Sequence, residues 1–338
     1  MRRRGVGRSV IGGLVLTAAC AQAAAAQPFE VVGTRALGMG GAFVAVADDA
    51  TAVFWNPAGL ATGALASLVA EGVTRDAGPE AADGRASRRS AALVALGVPA
   101  LGLSYYRIRS TEAALAPPVA GSRTVRKEGE TPPIALGDLV THHAAVTLLQ
   151  SVGGGVTVGT SLKLVHGTAA ELVSAGDLES LLKVVRRHGG RADNTFDLDV
   201  GAMLDLREVR LGLSARNLRA PAFETASGGR VALSRQVRAG VAFVPDSSTT
   251  IALDLDLTET DSRVGGRRMV AAGAERWLAR RRVGIRGGVR FDTVGASEPV
   301  ASAGFSVGLT RSLWVDGFAS RGGGAGALGW GMSVRVGS

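Results

Sequence analysis

Cysteine is almost missing from this sequence: Cys20 is the single one among 338 residues. That excludes an internal disulfide and a cysteine-built metal cluster. Aromatic residues make up only 4 %, with four Trp and two Tyr. Beyond residue 26 there is no run of about 18 uncharged apolar residues, so no membrane-spanning helix is expected there. Histidine is rare too. His142, His143, His166 and His188 lack any metal-ligand spacing, and the adjacent His142 and His143 would point to opposite faces of a strand. No P-loop occurs, and the one G-x-S-x-G string, at 304–308, lies within an alternating segment and not at a strand-to-helix elbow. These absences read as a protein that is not an enzyme, with no metal and no cofactor.

Glycine, in contrast, is abundant, at 48 residues. A mainly helical fold is disfavoured, because each Gly inside a helix costs about 1 kcal/mol relative to Ala. A sheet wall tolerates Gly where backbones approach closely. The net charge of +9 is carried mostly by Arg. Nucleic acid is the obvious partner for such a charge. The arginines are dispersed through alternating segments, with no recognition helix or aromatic–basic motif, and no nucleic-acid partner is expected.

At the N-terminus, Arg2, Arg3, Arg4 and Arg8 precede a short apolar run at 10–19. Ala24, Ala25 and Ala26 then offer a small-residue cleavage site before Gln27. This three-part pattern predicts a secretory signal peptide over residues 1–26. The alternative is a lipoprotein modified at Cys20, although Leu16 stands one place too early for a good lipobox.

The rest of the chain alternates with period two, as strands do. Over 155–166, Val156, Val158, Leu162 and Leu164 share one face, and Thr157, Gly159, Ser161 and Lys163 the other. Over 251–258, Ile251, Leu253, Leu255 and Leu257 oppose Asp254, Asp256 and Thr258. Over 326–337, Leu328, Trp330, Met332, Val334 and Val336 oppose Gly329, Gly331, Ser333 and Arg335. About fourteen such segments can be traced, most with the 9–11 residues of a tilted membrane strand. They run over 64–74, 89–97, 100–109, 138–150, 155–166, 193–205, 209–217, 231–244, 249–258, 267–277, 281–291, 299–309, 312–319 and 326–337.

Links on one side are short, at 97–99, 151–154, 207–208, 245–248, 279–280 and 310–311. On the other side 75–88, 110–137, 167–192, 218–230 and 259–266 are mostly longer and polar. Short periplasmic turns and long outer loops characterise outer-membrane barrels. Charges on the polar faces also match across hairpins. Asp205 is predicted opposite Arg210, Asp199 opposite Arg216, Arg238 facing Asp254 or Asp256, and Glu275 facing Arg286. Opposite charges across a strand pair stabilise it by about 0.2–1 kcal/mol. These nine residues are the candidate lumen charges. Within 167–192, Leu178, Leu181, Leu182 and Val185 fall at helical spacing. They predict a helix over the barrel mouth, or a lid that captures apolar molecules. Lys183, Arg186 and Arg187 there suit lipopolysaccharide phosphates or a carboxylate.

Between the signal and the first strand, residues 33–60 carry Gly38-Met39-Gly40-Gly41, Asp48-Asp49-Ala50 and Asn56-Pro57-Ala58-Gly59-Leu60. The glycines resemble part of a dinucleotide loop, but Phe43 stands where the third Gly would be, and no βαβ unit surrounds it. Gly38, Gly40 and Gly41 permit tight turns. Asp48 and Asp49 can cap a short helix or turn. Pro57 fixes its own φ and pushes Asn56 out of the helical region, freeing Asn56 to tie this segment to a wall. The block, with Gly59, resembles the N-terminal signature of the FadL-like outer-membrane superfamily. That superfamily contains long-chain fatty acid transporters and PorV-like proteins linked to type IX secretion. The segment 273–277 is similar to that group more weakly.

The resemblance implies a barrel of about fourteen strands with its N-terminal segment folded inward as a plug. The expected organisation is a signal peptide at 1–26, a plug at 27–62 and a transmembrane antiparallel β-barrel, all-β, at 63–338. The expected role is passive uptake of a hydrophobic small molecule, fatty-acid-like or aromatic, across the outer membrane. The alternative is a PorV-like scaffold that binds secretion-system proteins. Outer-membrane lipid and lipopolysaccharide are the expected surroundings.

Overall fold

The computed structural model describes residues 23–24, 27–77, 85–116, 132–187, 190–295, 299–323 and 327–337. The signal-peptide and lipobox readings thus fall largely outside the described residues, as does His188. Fourteen antiparallel strands close into one barrel. In chain order they are Ser67–Ala77, Ala86–Val98, Leu101–Leu115, Ile134–Gly153, Val156–Ser174, Arg191–Leu206, Val209–Arg216, Gln236–Asp246, Thr249–Asp256, Met269–Leu278, Val283–Asp292, Val300–Gly308, Leu313–Gly322 and Leu328–Gly337. The last strand pairs with the first, from Gly337↔Ser67 to Leu328↔Asp76, so the sheet has no free edge. Closure satisfies the ladder hydrogen bonds without water, the condition for a sheet in hydrocarbon.

The apolar members of most alternations point outward, while Val69, Val73, Leu93, Tyr106 and Ile108 of the first three strands pack inward on the interior segment. Leu253 is 48 % exposed and Trp330 55 %, while Asp254 and Glu275 are buried. Leu96, Leu103, Val146, Leu164, Leu213, Ile285 and Phe305 continue this exposed belt around the wall. An apolar patch this extensive is not stable against water and calls for a lipid solvent. No described helix is long and apolar enough to cross a membrane.

The connections sort by end. Short turns join strands at 98–101, 153–156, 206–209, 246–249, 278–283 and 308–313, and the longer links all lie at the opposite end. Several strands run beyond the lengths predicted, notably Ile134–Gly153 and Val156–Ser174. Their extra length carries helix α3, Leu178–Arg187. The helix does not cover the mouth. Leu181, Leu182 and Val185 pack instead on Ala113, Ile134, Leu136 and Ala170, on the outer side of the strands. The Arg109 guanidinium donates to the Arg186 carbonyl at 2.8 Å. Helix α3 thereby covers this apolar patch of the strands.

The strand predicted at 231–244 begins only at Gln236. Residues Arg230–Ala232 instead join a small sheet with Ala222–Glu224 and the backbone of Ala23–Ala24. Asn217, at φ 55, ends the preceding strand, and its side-chain amide donates to the Ser234 carbonyl at 3.0 Å. That bond starts the next wall pairing at Gln236↔Arg216.

Candidate functional site

Residues 27–60 are almost continuously buried, although most of them lie outside any regular element. They fill the barrel interior and touch wall residues around its circumference. Two short helices punctuate the segment, α1 at Thr34–Gly38 and α2 at Ala52–Trp55, followed by a 3-10 turn at Pro57–Thr62. Backbone bonds close the short turns within the segment, and the buried polar groups these turns leave unpaired must be satisfied from the wall.

The wall supplies them. Glu71 accepts from the amides of Gly33 and Thr34 at 2.5 and 2.7 Å, satisfying the start of α1. Asp254 accepts from the amides of Phe43 and Val44 at 2.8 and 2.9 Å. The Asn56 amide donates to Val44 within the segment at 2.9 Å and to the wall carbonyl of Ala202 at 3.1 Å. Pro57 opens the 3-10 turn, and the Asn56 side-chain oxygen caps it by accepting from Ala58 N. Asp49 caps a local turn by accepting from Thr51 N at 2.9 Å.

Charge is matched across the same interface. Arg35 donates twice to Glu275, at 2.8 and 2.5 Å, and also pairs with Asp48 and Asp49. Burial would lower its guanidinium, but the facing carboxylates of Asp48, Glu275 and Asp49 hold it above its ordinary value. Glu30 pairs with Arg238 and lies 3.6 Å from Arg267. Burial alone would raise the Glu30 carboxyl; Arg238, Arg267 and Arg290 together outweigh it and hold it well below the carboxylate range. Trp55 is fully buried among Phe29, Phe43 and Phe54, its indole N–H donating to the Val32 carbonyl at 3.1 Å. Arg216 and Arg238 stack on the Phe29 ring at 5.0 and 4.5 Å.

All nine lumen charges face inward. Asp205 is in register with Arg210 and pairs at 3.0 Å. Asp199 lies 3.6 Å from Arg216. Arg238 is in register with Asp256, not Asp254, and pairs with it at 2.6 Å. Glu275 is in register with Arg286 at 3.5 Å. Sequence reading missed Arg35, Glu30, Glu71 and the Lys163 pairs with Asp197 and Asp199, each 2.6 Å. Lys163 sits on the polar side of an alternating strand, which was the available signal, whereas Glu71 shares its face with the buried Val69 and Val73. Nothing local marks Glu30 or Arg35. The histidines part as expected: His143 stacks inside on Tyr106 at 4.4 Å, and His142 contacts the Tyr105 hydroxyl outside at 2.7 Å.

The wall glycines explain how so much chain fits. A Cβ on Gly201 would lie 2.0 Å from the Asn56 side-chain oxygen, and one on Gly159 2.4 Å from the Pro57 backbone. Gly212 abuts the Val44 carbonyl, and Gly273 and Gly288 abut Met39. Gly159 neighbours Gly201 in register, and Gly273 neighbours Gly288. They belong to a girdle without side chains, against which the segment's backbone lies. From the segment's side, a Cβ on Gly40 (φ 72) would meet the Val289 backbone, one on Gly38 would meet the Arg286 side chain, and one on Gly59 the Ala47 carbonyl. Gly41 is likewise left-handed, at φ 94.

A cavity of about 460 Å³ remains at the short-turn end. The segment lines it with Arg35, Asp48 and Asp49, and the wall with Glu275, Trp277 and Trp314. Arg210, Arg281, Arg311 and Arg335 surround these. The turn 279–281 holds three successive non-glycine residues at positive φ, 49, 55 and 63, an uncommon and strained arrangement. It sets Arg281 over the Trp277 ring at 5.1 Å.

Comparison with known proteins gives two kinds of likeness. A family described as "F plasmid transfer operon, TraF, protein" matches residues 142–256. No curated protein matches the sequence. Among solved structures, the toluene transporter TbuX of Ralstonia pickettii superposes with a TM-score of 0.61 at 12 % identity, covering 91 % of this chain and 99 % of that one. The CymD monoaromatic hydrocarbon channel gives 0.60 at 15 %, covering 91 % and 98 %. A FadL homologue of Pseudomonas aeruginosa gives 0.59 at 11 %, covering 93 % and 99 %. Matching nearly the whole of each neighbour, this chain has the fold of the FadL-like barrels: a closed wall of fourteen antiparallel strands.

Proposed function

We propose that this protein is a barrel of the bacterial outer membrane that takes up hydrophobic small molecules passively, without an enzymatic step. The observation that carries the reading is the interior segment 27–62, packed into a closed wall and tied to it by single residues such as Glu71, Asp254 and Glu275. It acts as a plug. An open water-filled pore would serve a polar solute, whereas a filled barrel excludes ions and suits a molecule that leaves water for an apolar route. The neighbours described as toluene and monoaromatic hydrocarbon transporters support a ligand of that class. The plug residues Gly38, Gly40, Gly41, Asp48, Asp49, Asn56, Pro57 and Gly59 shape the plug, and the lumen charges position it. Residues 1–26 are the export signal, with the short turns in the periplasm.

Outside, the row Arg107, His142, His166 and Asn194 crosses adjacent strands above the belt, near the basic end of α3. It suits the phosphates of lipopolysaccharide. Uptake of labelled toluene and of a long-chain fatty acid by a deletion strain and its complemented parent tests the function. Lower uptake of either in the deletion supports it; unchanged uptake of both overturns it.

A second reading, a PorV-like scaffold for secretion proteins, is favoured by the TraF family match over 142–256, which includes α3. Purification in mild detergent separates the two: stoichiometric protein partners favour the scaffold, and bound hydrophobic ligand favours uptake.

A further inference from the structure

We propose that the cavity at the short-turn end is a binding site for a small planar aromatic carboxylate. The ligand is small, flat and ionised, unlike the hydrocarbon or long-chain molecule of the uptake reading, and its binding requires no translocation. The volume, about 460 Å³, falls within the range of ligand pockets, about 300–1,000 Å³.

The cations of the lining divide into two sets. Arg35 is committed to Glu275, Asp48 and Asp49, Arg210 to Asp205, and Arg335 to Asp316 at 3.4 Å. Arg281 donates to the Ser247 carbonyl at 2.6 Å, and neither it nor Arg311 has a carboxylate partner among the described residues. Arg311 makes no hydrogen bond or ion pair there at all. Two guanidiniums without counterions therefore share a cavity, and a carboxylate is the anion whose geometry fits their planar forks.

The indoles select the rest of the ligand. Trp277 and Trp314 both line the cavity. The Arg335 guanidinium lies 5.7 Å from the first ring and 4.9 Å from the second, which holds both in place. Trp314 N–H donates to the Arg281 carbonyl at 3.3 Å, linking the ring to the free cation. A flat ring stacks on an indole while its carboxylate reaches Arg281 and Arg311. The acids Asp48, Asp49 and Glu275 sit on the Arg35 side and repel an anion toward the free cations. An inorganic anion would leave the indoles unused, and a neutral ring would leave the cations unused.

Calorimetric titration of the full chain in detergent micelles with benzoate, benzamide and inorganic phosphate tests this. Saturable benzoate binding, exceeding that of benzamide and phosphate, is expected. Replacing both Arg281 and Arg311 by Ala is expected to weaken it about tenfold or more, the loss of one charge-assisted contact or two, and Trp314→Leu is expected to weaken it as well. Should the double variant not fold, Arg311→Glu alone, at an exposed turn position, is expected to abolish benzoate binding. Absence of benzoate binding, equal binding of benzamide or phosphate, or undiminished binding in these variants overturns the proposal. Because the readout is binding in micelles, its failure is separate from a failure of the uptake assay.

Discussion

Arg35 and Glu275 stand 240 residues apart in the chain and are joined by two hydrogen bonds, of 2.8 and 2.5 Å. Glu275 also accepts from Trp277 N–H at 3.0 Å and faces Arg286 at 3.5 Å. One wall carboxylate thus holds the interior segment, a neighbouring strand and a cavity wall. Removing one partner of a buried pair strands the other charge, at a cost of about 3–5 kcal/mol. Glu275→Ala is expected to loosen the segment and raise ion conductance in planar bilayers, with Glu275→Gln intermediate. Conductance equal to the parent in both variants would show that the segment is held by other contacts.

Glycine positions are expected to separate sharply. A Cβ on Gly273 would lie 2.2 Å from the Met39 carbonyl, whereas one on Gly72 meets nothing within 4 Å. Overpacking costs about 1–3 kcal/mol, and a side chain here would press directly on the backbone of the interior segment. Gly273→Val should lower the unfolding temperature and expose residues 27–62 to protease. Gly72→Val, on the outer face, should change neither.

Charge on the outer face should be penalised by depth. Leu253 lies within the exposed belt, whereas Leu206 adjoins a short turn. An arginine at the bilayer midplane costs about 2–4 kcal/mol, and near the interface about 0–1. Leu253→Arg is therefore expected to shift urea unfolding in lipid vesicles far more than Leu206→Arg. Equal shifts would contradict a lipid-facing belt.

Glu30 sets a pH dependence. Its carboxyl is lowered in the folded protein, so its contribution is fully present above the unfolded value, about 4.3, and is lost progressively as pH falls toward the folded value. Retention of the interior segment, followed by protease protection, should hold from neutral pH to about pH 5 and decline below it. In Glu30→Gln the protection should already be reduced at neutral pH, and the acid decline should be smaller.

Much of this architecture is legible along the chain. The number of wall strands, the side most residues face and the sorting of short and long links follow from period-two alternation, but the inward Val69, Val73, Leu93, Tyr106 and Ile108 do not, because they pack on the interior segment. The Asp205–Arg210 and Glu275–Arg286 pairs follow from a tight turn, because a hairpin fixes its own register. The failures have causes beyond the local pattern. The strand predicted from 231 starts at Gln236 because Asn217 bonds back to Ser234. Helix α3 has the periodicity of any amphipathic helix, which says nothing about the surface it covers.

What the sequence determined by itself is the wall, since alternation is a property of consecutive residues and needs no partner to be read. Only the tertiary structure decided what fills it. The bonds of Arg35 to Glu275, of Asp254 to Phe43 and Val44, and of Glu30 to Arg238 join residues far apart in the chain. So does the contact of wall glycines with the interior backbone, and so does the gathering of Arg281, Arg311 and two indoles at one end. Such contacts exist only after the fourteenth strand meets the first, because closure is what brings those groups within reach.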